Sequence, residues 1–154
     1  MLSPKTMARA GKSKYLVLIA DDSDEDCLLV ELAFRKSERM QFLGRVTDGD
    51  EAIAYLKGEG EYADRQQFPI PDLLLLDLKM PRVDGFEVLR WLQTQSFPEL
   101  VVVVLSGSDR REDIVEALQL GAHFYQTKQV NLPGQLQMLN LFEQYLVRND
   151  PGSA

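Results

Sequence analysis

The sequence has one cysteine, Cys27, and one histidine, His123. A single thiol excludes an intrachain disulfide, so the chain is not a small domain stapled by bridges, and a reducing, cytoplasmic setting suits it. A single imidazole leaves a histidine-based zinc site or a Ser-His-Asp triad without its parts; His123 reads as a surface or strand-edge residue. Long apolar runs are also missing. Tyr15 to Ala20 and Val101 to Leu105, the longest examples, fall far short of the roughly 20 residues a membrane-spanning helix requires, so no membrane partner is expected. Positive charge is in deficit, with 17 Lys and Arg against 24 Asp and Glu and a net charge of -7. That balance disfavours direct binding of nucleic acid, which demands clustered cations.

Some of the positive charge that exists lies early. Lys5, Arg9, Lys12 and Lys14 precede the first apolar run, so residues 1–14 read as a basic disordered tail rather than a signal peptide. The closing "RNDPGSA" suggests a second disordered tail over 149–154. Residues 15–148 between them are enough for one domain with a single substantial core.

Within that domain, short β-rich runs alternate with segments of helical periodicity, the pattern of βα units that build a parallel sheet. Five strands are predicted: Tyr15 to Ala20, Gln41 to Val46, Asp72 to Asp77, Val101 to Ser106 and His123 to Lys128. The first, third and fourth are continuously apolar, as strands covered by helices on both faces should be. Helices are expected over Asp24 to Ser37, with Leu28, Leu29, Leu32 and Ala33 as the inward stripe, and over Asp84 to Gln95, with Phe86, Leu89, Trp91 and Leu92. Asp48 to Lys57 and Leu132 to Val147 supply two more. Another starts at a Ser108 or Asp109 cap and runs to Leu120, with Gly121 as its left-handed stop. Gly58 to Pro71 is the one long irregular connection. The fold class is α/β, a doubly wound (βα)5 sandwich.

In such a fold, reactive groups collect where loops converge at the carboxyl ends of the strands. Those ends deliver Asp21 and Asp22, then Asp77, Ser106 and Lys128. Carboxylates crowded into one crevice resist ionising together unless a cation offsets them. Hard oxygen donors without His or Cys favour Mg²⁺, with Mn²⁺ as a substitute. A carboxylate beside such an ion can attack phosphorus, and Asp77 is the candidate nucleophile, with the Lys128 ammonium and the Ser106 hydroxyl positioned to hold phosphoryl oxygens.

The segments "LIADDSDED", "LLLLDLKMPRVDG", "VVVVLSGS" and "GAHFYQTK", in that order, resemble the receiver domain of two-component response regulators, over roughly Tyr15 to Val147. The resemblance implies a flavodoxin-like sheet of order 2-1-3-4-5. It implies that Asp21 and Asp22 bind Mg²⁺ together with Asp77 and the backbone carbonyl of Lys79, and that Asp77 accepts phosphate from a histidine kinase or a histidine phosphotransfer protein. Ser106 then corresponds to the switch hydroxyl, Lys128 to the phosphate-sensing lysine and Tyr125 to the aromatic switch that alters affinity for a downstream protein target. The irregular Gly58 to Pro71 loop resembles that of small regulators associated with phytochrome-type kinases. On this footing the chain is a stand-alone phosphoacceptor switch rather than an enzyme, at most slowly phosphorylating and dephosphorylating itself, and a homodimer stays open.

One position departs from the family pattern. Proline in a cis peptide usually follows the lysine, whereas Gln129 stands here; a non-proline cis bond costs about 3 kcal/mol, so a trans peptide is expected. Asp24, Glu25 and Asp26 read as a solvated helix start, and Cys27 and Trp91 as packing residues. Two rivals carry different chemistry. A haloacid-dehalogenase-type Mg²⁺-dependent phosphohydrolase would use Asp22-Ser23-Asp24 as its D-x-D motif, leaving Asp77 unexplained. A receiver-like docking module would dispense with phosphate altogether.

Overall fold

A computed structural model describes residues 14–150. Five parallel strands, β1 (Tyr15–Ala20), β2 (Met40–Val46), β3 (Leu73–Leu76), β4 (Val101–Ser106) and β5 (Phe124–Thr127), form one sheet in the order β2-β1-β3-β4-β5. Five α-helices connect and cover them: α1 (Asp24–Arg35), α2 (Gly49–Lys57), α3 (Gly85–Gln93), α4 (Arg111–Gln119) and α5 (Leu132–Arg148). The flavodoxin-like architecture is therefore the expected one.

The apolar runs are explained by burial on both faces. Leu18, Ala20, Leu74, Leu76, Val102 and Val104 point to the side covered by α2, α3 and α4. Their neighbours Val17, Ile19, Leu73, Leu75, Val103 and Leu105 point to the side covered by α1 and α5. Because alternate residues of a strand face opposite sides, a strand with no polar side has no polar position. The predicted β3 was one residue too long at each end. Asp72 and Asp77 flank the four leucines, and the Asp72 carboxylate accepts a hydrogen bond from the Leu16 N–H at 2.8 Å.

Four helices begin at a side chain that accepts a hydrogen bond from the first turn: Ser23, Asp48, Asp84 and Asn131. The α4 start differs from the expected cap. Arg110 holds the capping position without a side-chain bond, while the Ser108 hydroxyl accepts from the Arg110 N–H at 3.2 Å and donates to Asp113 at 2.7 Å. Gly121, at φ 102°, turns the chain two residues after α4 ends.

One further expectation needs correction. The buried stripe of α1 is Cys27, Val30, Ala33 and Phe34, so of the expected stripe Ala33 faces inward while Leu28 and Leu32 are exposed. The connection 58–71 is irregular, as expected, apart from one short turn. Tyr62, in a 3₁₀ turn (Gly60–Tyr62), packs its ring against Tyr55 and Phe68. Arg65 closes the loop by donating to the carbonyls of Tyr55, Leu56 and Phe68 at 2.8, 2.6 and 3.1 Å. The expected tails, 1–14 and 149–154, lie outside the described residues except for Lys14, Asn149 and Asp150. Asn149 caps α5, and the Asp150 carboxylate accepts a hydrogen bond from the Tyr15 hydroxyl at 2.9 Å.

Candidate functional site

The register of the central strands fixes the site before any side chain is considered. Ala20 of β1 faces Leu76 of β3, so the next residues, Asp21 and Asp77, leave adjacent strands at the same level of the sheet's carboxyl edge. The Asp77 N–H donates to the Ala20 carbonyl at 2.9 Å, which extends the ladder one step past the strand. Asp77 is then held from below by α3. The Gly85 N–H donates to the Leu78 carbonyl at 3.0 Å, and a methyl group on Gly85 would lie 2.3 Å from the Asp77 carbonyl oxygen. The Asp-Gly pair of the sequence is thus a cap followed by the residue that lets a helix start against the Asp77 backbone.

Oxygens of Asp21, Asp22 and Asp77 all lie within 4.8 Å of one another. Asp21 and Asp77 are buried and Asp22 is exposed, so the cluster opens to solvent on one side. Asp21 is preset by the Ser23 N–H, which donates to its Oδ1 at 2.9 Å. Lys79 meets the cluster through its N–H, at a long 3.4 Å from Asp77 Oδ1.

Lys128 enters from the end of β5. Its Nζ lies 2.6 Å from Asp26 Oδ2, 2.9 Å from Asp21 Oδ2 and 3.3 Å from Asp77 Oδ2. Burial alone would make the ammonium easier to deprotonate, but these three carboxylates reverse that effect and hold it above the ordinary lysine range. Asp77 shows the opposite balance. Burial pushes its carboxyl up to about 6 although Lys128 pulls it down, and the Asp21 charge adds to the rise. A like-charged group of hard oxygens, two of its three carboxylates buried and one of them held from ionising freely, is the donor set that suits a small divalent cation.

Ser106, the last residue of β4, is fully buried, and its Oγ accepts the Ser108 N–H at 3.2 Å. Its carbonyl takes the Lys128 N–H at 2.9 Å, which ties the serine and the lysine together through the backbone. Tyr125 stands apart from the carboxylates. Its half-buried ring packs on the core, and its hydroxyl donates to the Ser108 carbonyl at 2.7 Å, so it touches the loop that follows Ser106. His123 has a structural role: Val102 donates to its Nδ1 at 3.0 Å, continuing the β4–β5 pairing before β5 begins.

The turn beyond Lys128 is ordered without proline. No cis peptide occurs among the described residues, as expected for Gln129. The Gln129 side chain donates to the Thr127 carbonyl at 2.9 Å, and the buried Gln135 of α5 reaches back to the Gln129 carbonyl at 3.1 Å. Two glutamine amides do by hydrogen bonding what a ring would do by restricting φ.

One residue of the site escaped the sequence. Asp26 lies in the first turn of α1 and is part-exposed, as expected, but it is also the nearest carboxylate to Lys128. Its signal was available: a residue in the first turn of a helix leans towards the helix N-terminus, and the N-terminus of α1 follows directly from Asp21 and Asp22. Asp24 does behave as expected of an exposed acid, pairing with Arg45 at 2.6 Å.

A 2-1-3-4-5 parallel sheet with three clustered carboxylates and a lysine at its carboxyl edge defines the class as a receiver-type α/β domain. Residues 17–140 match the model of the response regulator receiver domain, and the chain belongs to that family. It is 34% identical over 140 residues to the response regulator Rcp1 of Synechocystis, covering 90% of this chain and 93% of Rcp1. A crystal structure of the phosphorylated cyanobacterial phytochrome response regulator RcpA superposes with a TM-score of 0.75 at 34% identity, over 87% of this chain and 94% of that one. The Mn²⁺-bound form of Rcp1 superposes with a TM-score of 0.71 at 32% identity, over 85% and 93%. By contrast, the chain spans 30% of a protein-glutamate methylesterase of Anaeromyxobacter dehalogenans, to which it is 36% identical over 75% of its own length.

Proposed function

We propose that this receiver is a phosphoacceptor switch in a two-component phosphorelay, taking a phosphoryl group on Asp77 and signalling through protein contacts. The observation that carries this is the meeting of Asp77 with Asp21, Asp22 and Lys128 at one strand edge. Asp21, Asp22, Asp77 and the Lys79 carbonyl would hold Mg²⁺. When bound, the ion supplies positive charge to the carboxylate cluster and to a phosphoryl oxygen, and the existence of a Mn²⁺-bound form of the similar Rcp1 accords with a divalent cation here.

The chain's own residues do the rest. A carboxylate oxygen of Asp77 attacks phosphorus of a phosphohistidine on a histidine kinase or phosphotransfer protein. The new P–O bond forms as the P–N bond breaks, and the electron pair leaves with the donor imidazole. Lys128 offsets the added charge, the Ser106 hydroxyl donates to a phosphoryl oxygen, and Tyr125 transmits the change through its contact with the 107–110 loop. Cytoplasmic residence and action without an attached effector accord with this role; among the described residues no helix is long and apolar enough to cross a membrane.

The phosphohydrolase alternative loses its second acid, because the Asp24 carboxylate is exposed and turned to Arg45. The intact acid set speaks against a docking module indifferent to phosphate. The test is incubation with acetyl phosphate and Mg²⁺. Acid-labile phosphate should appear on the native protein and be lost in Asp77→Asn; undiminished labelling of that variant overturns the assignment.

A further inference from the structure

Lys128 has three protons to donate and three carboxylates within reach, and the phosphoacceptor Asp77 is the most distant of them at 3.3 Å. Asp26, at 2.6 Å, is the nearest. The ammonium is therefore already committed. The Asp77 contact passes to a phosphoryl group there, but for the ammonium to draw closer than 3.3 Å one of its two shorter bonds, to Asp26 or to Asp21, has to lengthen. The Asp21 and Asp77 side chains are 5% and 7% exposed, whereas that of Asp26 is 44% exposed. A carboxylate that water can reach is released at the least desolvation cost, so Asp26 is the bond that gives way. Asp21 also belongs to the proposed cation-binding set, which leaves Asp26 as the partner whose main contact is the lysine.

We infer that Asp26 is a positioning residue that holds Lys128 back from Asp77 and competes with the phosphoryl group for it. Asp26 thereby sets how strongly the phosphorylated state is favoured. This rests on the phosphoacceptor reading of Asp77 and adds a regulatory element to that site. The competition is local. Asp24, two residues earlier on the same turn, spends its charge on Arg45 at 2.6 Å, and serves as a control for the loss of one negative charge near the site.

The probe is beryllofluoride, a non-covalent stand-in for the phosphoryl group, titrated into the full chain at saturating Mg²⁺ and followed by calorimetry or fluorine NMR. Asp26→Asn should bind it roughly three- to ten-fold more tightly, the scale expected when a half-exposed carboxylate gives up a charge-assisted bond. Asp26→Glu, which keeps the charge, should restore the native affinity, and Asp24→Asn should leave it unchanged. In a Lys128→Gln background, Asp26→Asn should have no effect. Unchanged or weaker binding by Asp26→Asn, or tightening that persists without Lys128, overturns the proposal while leaving Asp77 as acceptor. Absence of beryllofluoride binding to the native protein removes the phosphoacceptor reading and this proposal with it.

Discussion

Arg82 reaches out of the loop after Asp77 and pairs with the carboxylate of Asp48, the cap of α2. Arg82 is the sole non-glycine residue at positive φ among those described, at 64°. The Gly49 N–H also donates to the Val83 carbonyl, at 2.9 Å. The segment that shapes the entrance to Asp77 is thus fastened to a neighbouring helix at its start.

Asp48 should therefore matter twice. Burial opposes its charge, but the Glu51 N–H and Arg82 outweigh that and hold its carboxyl below the ordinary range. A carboxyl more acidic in the folded chain than in the unfolded one contributes stability at neutral pH, and that contribution is lost as pH falls through the carboxylate range. Asp48→Ala should cost about 1–2 kcal/mol through the lost cap, measured by urea unfolding at neutral pH. Arg82→Ala should be milder and should move acid unfolding to higher pH.

Three glycines make a graded series. A methyl on Gly85 would meet the Asp77 carbonyl oxygen at 2.3 Å, one on Gly49 would meet the Val83 carbonyl oxygen at 2.3 Å, and one on Gly107 would meet nothing within 4 Å. Gly85→Ala and Gly49→Ala should each destabilise by about 1–3 kcal/mol through overpacking. Gly85→Ala should also depress phosphoryl labelling, because relief requires the Asp77 backbone to move. Gly107→Ala should stay within about 0.5 kcal/mol of the native chain. Equal effects at all three positions would refute the steric argument.

Alkaline stability should report on Tyr15. Burial, together with the bond to Asp150 and its charge, pushes the phenol up to about 12 from an ordinary value near 10. The folded chain holds this proton more tightly than the unfolded one, so its contribution is full below pH 10 and disappears as pH rises towards 12. Tyr15→Phe should flatten that part of the stability profile, read by denaturant unfolding at stepped pH. An unchanged slope would place the alkaline sensitivity elsewhere, with Tyr62, also raised to about 12, as the next residue to test.

Much of the fold could be read from local pattern. The leucine run of β3 and the valine run of β4 have no polar face, and four of the five helices start at a side chain that caps them. What depends on distant partners could not be read. Asp26 and Lys128 are separated by 102 positions, so the first-turn position of Asp26 could bring it near Asp21 and Asp22 but could not name Lys128 as its partner. Leu28 and Leu32 misled because α1 is amphipathic on two nearby registers, and only packing against α5 selects Cys27, Val30, Ala33 and Phe34. Arg65 lies in the irregular connection, where no periodicity marks it, and it satisfies three carbonyls there.

The Tyr15–Asp150 bond has a practical meaning. Tyr15 opens β1 and Asp150 follows α5, so the described chain enters and leaves the fold within one tyrosine's reach. That place is the sheet's amino edge; six residues of β1 at about 3.3 Å each put it roughly 20 Å from the edge bearing Asp77. A fluorophore attached at Tyr15 or Asp150 would sit behind the domain, away from the edge bearing Asp77. The same proximity makes the pair a natural seam for joining the ends and reopening the chain elsewhere.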